Sequence, residues 1–95
     1  MFGRFVCFNS YVKEGKPIYV LELSRNGRTG KVFFRNLKPD IVRYLQGIEF
    51  GTYIALDYDM IYRDSETHNY LKGIYIMSDV DVSFVLTDVY MPKEA

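Results

Sequence analysis

Ninety-five residues, 48% of them apolar and 17% aromatic, suffice for one compact domain with one core and leave little for a second. The formal net charge of zero conceals an asymmetry: residues 1–48 carry nine Lys/Arg and three Asp/Glu, residues 49–95 three and nine, so a local field rather than the total decides whether one face attracts a polyanion. A lone cysteine, Cys7, excludes an intramolecular disulfide and reads as a small buried hydrophobe, while no apolar run has signal-peptide or transmembrane length, which makes the cytoplasm the expected location and a membrane partner unexpected.

Strand formers dominate, with nine Tyr and seven Phe beside many Val and Ile. Phe2 to Lys13 is expected as a long first strand, followed by a turn at Glu14-Gly15-Lys16-Pro17. Ile18 to Arg25 forms the second strand and Lys31 to Asn36 the third, with Asn26-Gly27 between them as the strongest hairpin signal of the chain. The period then changes. From Leu37 to Ile48 the apolar residues Leu37, Ile41, Tyr44, Leu45 and Ile48 recur on one face of a helix of about two turns. Pro39 suits its first turn, Asp40 complements its positive end, and Gly47 is placed to stop it in the left-handed conformation.

Alternation returns at Gly51: Thr52, Ile54, Leu56, Tyr58, Met60 and Tyr62 face one way, Tyr53, Ala55, Asp57 and Asp59 the other. A polar loop over Arg63 to Asn69 leads to a strand at Tyr70 to Met77, and Val80, Val82, Phe84 and Leu86, opposed by Asp79, Asp81 and Ser83, predict a sixth strand. The fold class is therefore all-β with one short helix: a five-stranded, OB-fold-like Greek-key barrel whose helix lies between strands three and four, plus an additional C-terminal strand, in a single domain over residues 1–95.

Lys31-Val32-Phe33-Phe34-Arg35, the short helix, and Glu49-Phe50-Gly51-Thr52-Tyr53-Ile54-Ala55-Leu56 together resemble the stretch of many OB-fold nucleic-acid-binding modules in which strand three is followed by a helix and a glycine-introduced strand four. Glu14-Gly15-Lys16-Pro17-Ile18-Tyr19-Val20 is similar to the start of strand two in small phage and plasmid single-stranded-DNA-binding proteins. This resemblance implies single-strand binding on the face of strands two and three. Two departures stand out, the added sixth strand and an ending, Tyr90-Met91-Pro92-Lys93-Glu94-Ala95, without the acidic tail of bacterial single-strand-binding proteins; no tail-borne partner is implied.

A two-residue turn at Asn26-Gly27 sets Glu22 opposite Lys31, Val20 opposite Phe33 and Ile18 opposite Arg35 on one face, leaving Tyr19, Leu21, Leu23, Val32 and Phe34 for the core. Lys31, Phe33 and Arg35 then project together, an aromatic to stack on a base between cations that meet phosphates. The alternative is that Phe33 packs with Ile18 and Val20 under a loop or a partner subunit. Arg25 and Arg28 flank the turn as exposed cations, able to clamp a backbone or simply solvated. Tyr53 and Tyr75 are secondary stacking candidates, with core residence as the competing role.

Asp57 with Asp59, and Asp79 with Asp81, each share a strand face and read as the wet side of a strand that discourages edge pairing rather than as a cation seat. His68, the only histidine, lies in the polar loop without ligand-spaced partners, so no metal, no cofactor and no catalytic set is expected. Gly27-Arg28-Thr29-Gly30 lacks the spacing and following helix of a phosphate-cradling loop. The expected function is sequence-tolerant binding of single-stranded DNA, or else RNA, by Arg25, Arg28, Lys31, Phe33, Arg35, Tyr53 and Tyr75, without enzymatic activity. The competing function is a protein-interaction module, a phage or plasmid accessory protein that uses the acidic half, and a third is a structural subunit joined through its last strand. A homodimer is expected through Val80 to Tyr90, because the sixth strand must cover its apolar side.

Overall fold

Three two-residue turns set the architecture. Lys13 pairs with Lys16 around Glu14-Gly15, Arg25 with Arg28 around Asn26-Gly27, and Arg63 with Glu66 around Asp64-Ser65. All six turn residues have positive φ, between 51° and 77°, the twist that matches the right-handed twist of flanking strands. A computed structural model describes the backbone of residues 1–80 and 83–90 and the side chains of residues 1–77. The elements are β1 (Phe2–Lys13), β2 (Lys16–Arg25), β3 (Arg28–Arg35), α1 (Pro39–Gln46), β4 (Tyr53–Arg63), β5 (Glu66–Val80) and β6 (Ser83–Tyr90).

The strands β3-β2-β1-β4-β5 form, in that order, an antiparallel sheet that is not closed, and the backbone of β6 lies along the outer edge of β5. The side chains of Val80, Phe84 and Leu86 and of Asp79, and all of Asp81 and Val82, lie outside the described residues, and with them the expected dimer contact. Segment 63–69 is not a loop. Asp64-Ser65 makes a tight turn without glycine, and Glu66 already belongs to β5, because ladder pairing with β4 outweighs the roughly 1–2 kcal/mol that each left-handed non-glycine residue costs. The helix also ends differently from expectation. Gly47 has φ −87° in the right-handed region, and the last turn tightens through Gly47 N–H to the Tyr44 carbonyl (3.2 Å) and Ile48 N–H to the Leu45 carbonyl (3.3 Å), so no left-handed residue is required there.

Inside the curl of the sheet, Phe5, Leu21, Leu23, Val32, Phe34, Ile54, Leu56 and Ile74 meet Ile41 and Leu45 of α1 in one core. The period of β1 carries Phe5 inward, but Phe8 also packs on this core, which a strict alternation forbids. Register shows why: Phe5 pairs with Leu23 and Cys7 with Glu22, leaving Val6 as a β-bulge. The extra residue resets the phase, so that Cys7, Asn9, Tyr11 and Lys13 turn to the outer face.

Gly3 marks the closest approach of β1 to β2. A Cβ there would stand 2.7 Å from the Ser24 carbonyl oxygen, a backbone atom. Gly3→Ala is therefore expected to destabilise the fold by about 1–3 kcal/mol through forced backbone displacement. Urea denaturation measures it, and a midpoint equal to that of the parent would show that the strands yield freely.

Candidate functional site

Strands β2 and β3 pair with Glu22 opposite Lys31, Val20 opposite Phe33 and Ile18 opposite Arg35. The inward set is buried, with Leu21 and Phe34 at 0% exposure, whereas Phe33 is 45% exposed on the outer face. Lys31 is exposed beside it. Tyr11 of β1 pairs with Ile18 and is 47% exposed, so Tyr11, Ile18 and Arg35 make one row across three strands. Tyr11 and Phe33 border a common groove of about 330 Å³ that Lys13, Ile18, Arg35, Thr67 and Asn69 complete.

The far side of this groove is the β4–β5 hairpin, whose outer part passes the start of β1 and bends towards β3. Asn69 Nδ2 donates to the Phe33 carbonyl at 2.8 Å, and Arg35 Nη1 donates to Glu66 Oε2 at 2.8 Å. Under this contact Ile18 is covered, at 6% exposure, although it lies on the outer face. The Asn69 amide orientation follows from chemistry: only its NH₂ can meet a carbonyl, which leaves Oδ1 buried without a hydrogen-bond partner. The hydrogen bond and positive charge of Arg35 hold the Glu66 carboxyl below the usual carboxylate range, and the hydrogen bond to Glu66 raises Arg35 further. Both groups remain partly exposed, so water and salt moderate the pair.

Of the seven residues expected from sequence, Phe33 and Arg35 border this groove, Lys31 lies on the same face of β3, and Arg28 is exposed at the β2–β3 turn. Arg35 does not project freely beside Lys31, since Glu66 engages it. Arg25 and Tyr53 belong to a different cluster: Arg25 pairs with Arg28, five residues along β3 from Phe33, and Tyr53 lies on β4, beyond β2 and β1. There the Arg25 guanidinium lies 4.1 Å over the Phe2 ring, Phe2 and Tyr53 meet at 5.3 Å, and the Arg4 guanidinium lies 5.4 Å from the Tyr53 ring. Cation–π attraction and aromatic contact organise this end of the sheet. Tyr53 pairs with Arg4, and Tyr75 pairs with Ala55, the partner of Phe2. Both tyrosines are half-buried on the outer face and not members of the core.

Sequence reasoning missed Tyr11, Lys13, Phe2 and Arg4. For the first two a signal existed: a two-residue turn at Glu14-Gly15, counted as Asn26-Gly27 was, places Tyr11 opposite Ile18. Cys7 is half-buried rather than enclosed; its Sγ–H donates to Glu22 Oε2 at 3.2 Å. That bond, with partial burial and the Glu22 charge, pushes the thiol pKa up, which keeps the nucleophilic thiolate scarce at neutral pH. His68 stands on β5, not in a loop, and borders a second cleft beside Arg35. Asp57 and Asp59 are exposed, and Asp59 faces Lys72 at 3.8 Å.

Among the described residues no helix is long and apolar enough to cross a membrane. No protein-family model, curated protein or solved structure matches the chain.

Proposed function

We propose that the protein binds single-stranded nucleic acid, DNA in the first instance, along the outer face of β1, β2 and β3, as a binder without catalysis of its own. The observation that carries this is the groove in which two half-exposed aromatics, Tyr11 and Phe33, stand with Lys13 and Arg35. Exposed rings cost solvation unless a flat apolar partner covers them, and an unstacked base does so while its phosphates meet the cations. Support also comes from the strand order with α1 between β3 and β4. It is the order of an OB-fold, which receives oligonucleotides on the face of strands two and three and between the loops after strands one and four. Lys31 continues the cationic line along β3, and the Arg25–Phe2–Tyr53–Arg4 cluster offers a second platform on the same sheet.

Fluorescence anisotropy with a labelled oligonucleotide and its duplex, at low and moderate salt, tests the proposal. The single strand is expected to bind more tightly, since only unstacked bases reach an aromatic platform. Lys31→Ala is expected to lower the salt slope by about 0.7, the share of one neutralised phosphate on a single strand. Failure of both substrates to bind overturns the proposal.

Glu66 opposes this binding. Its carboxylate holds Arg35 at the rim where a phosphate would sit. Glu66→Gln is therefore expected to tighten single-strand binding roughly two- to fivefold at low salt, with the difference vanishing as salt screens it. Unchanged affinity at low salt would mean that Arg35 does not contact the strand.

A second role is favoured by the β4–β5 hairpin, where Met60 and Tyr62 are 67% and 74% exposed on one face of β4, Asp57 and Asp59 are exposed on the other and Asp64 is exposed at the turn. Such an apolar and acidic ribbon suits a protein partner, and sedimentation equilibrium of the chain alone reads whether that partner is a second copy.

A further inference from the structure

We propose that the cleft at the end of the aromatic groove is a subsite for a terminal phosphomonoester, so that the protein recognises a phosphorylated end of a single strand; this rests on the single-strand function above. The cleft, about 260 Å³, is walled by Lys13, Glu14 and Lys16 at the β1–β2 turn, Arg35 at the end of β3, and Glu66 and His68 at the start of β5. It shares Lys13, Ile18 and Arg35 with the groove, so the two adjoin along that row, with Glu66 and His68 of β5 towards the cleft and Thr67 and Asn69 towards the groove. Small-molecule sites usually enclose about 300–1,000 Å³; the cleft is slightly smaller than that and has room for a phosphate with bound water, with the base left to the groove between Tyr11 and Phe33.

Charge points the same way. Lys13, Lys16 and Arg35 stand with the His68 imidazole against two carboxylates, and one of these, Glu66, already shows how an anion is received. The Arg35 hydrogen bond at 2.8 Å and the Arg35 charge increase its acidity against partial burial, and the more distant His68 and Lys13 act in the same direction. A phosphomonoester carries close to two charges at neutral pH, an internal phosphodiester one, and the Coulomb attraction scales accordingly. The geometry adds a reason to prefer a strand end. Two hairpin turns and the end of β3 wall the cleft, and the side it shares is the groove itself.

The test compares three labelled oligonucleotides of one sequence, carrying a 5′-phosphate, a 3′-phosphate or neither, by anisotropy with the intact chain and with Lys16→Ala, which alters the cleft without touching the groove. One phosphorylated end is expected to bind about tenfold more tightly than the unphosphorylated strand, the size of a charge-assisted hydrogen bond. Lys16→Ala is expected to remove most of that advantage and to leave the unphosphorylated strand unchanged. Equal binding of all three strands overturns the subsite while single-strand binding stands; no binding of any overturns both. Displacement of the phosphorylated strand by a nucleoside monophosphate at comparable concentration would assign the cleft to a free nucleotide and overturn the strand-end assignment.

Discussion

Phe34→Ala is expected to destabilise the protein by about 3–5 kcal/mol, the cost of emptying a fully buried phenyl site. Phe34 has 0% exposure, and its ring meets Tyr58 edge-on at 5.8 Å and 85°. That contact joins β3 to the base of the β4–β5 hairpin, so the cavity opens where the two halves of the sheet face each other. Domains of this size have net stabilities of about 5–15 kcal/mol, and each kcal/mol lost lowers Tm by about 4–8 °C. Thermal unfolding followed by circular dichroism reads the loss; a shift of only a few degrees would mean that the core closes over the missing ring.

One residue earlier, the same substitution is expected to leave folding nearly intact and to act on binding. Phe33→Ala removes a ring that is 45% exposed and is expected to weaken single-strand binding by about 1–3 kcal/mol, the usual worth of one base–aromatic stack. The salt dependence should stay close to that of the parent, because no phosphate contact is lost. Tyr11→Ala should fall in the same range. The double variant should lose less than the sum if one base contacts both rings, since contacting residues couple. A large fall in Tm with unchanged affinity would place Phe33 among the structural residues and remove the platform.

The opposite orientations of Phe33 and Phe34 are legible in the amino-acid sequence alone. Asn26-Gly27 admits a two-residue turn, that turn sets Val20 opposite Phe33, and period two then sends Phe34 inward with Val32 and Leu21. The helix is legible from Ile41 and Leu45, both buried. The β4–β5 turn is not, because Asp64-Ser65 lacks the glycine that announces a left-handed pair. Nor is the bulge at Val6, which no local pattern marks, although it lets Phe5 enter the core while Tyr11, set by the Glu14-Gly15 turn, faces outward.

What the chain encodes locally is whatever depends on near neighbours: strand and helix periods, glycine-bearing turns, and the register of the β2–β3 hairpin that follows from one of them. Which of those faces meet is a property of the folded sheet. Glu66 and Arg35 are 31 positions apart, Asn69 and Phe33 are 36, and the bend of the β4–β5 hairpin that joins them is stabilised by burial of Ile18 and by the Phe34–Tyr58 contact. Such contacts have no local signature, because the energy that selects them arises only once the sheet has curled and distant side chains share one surface.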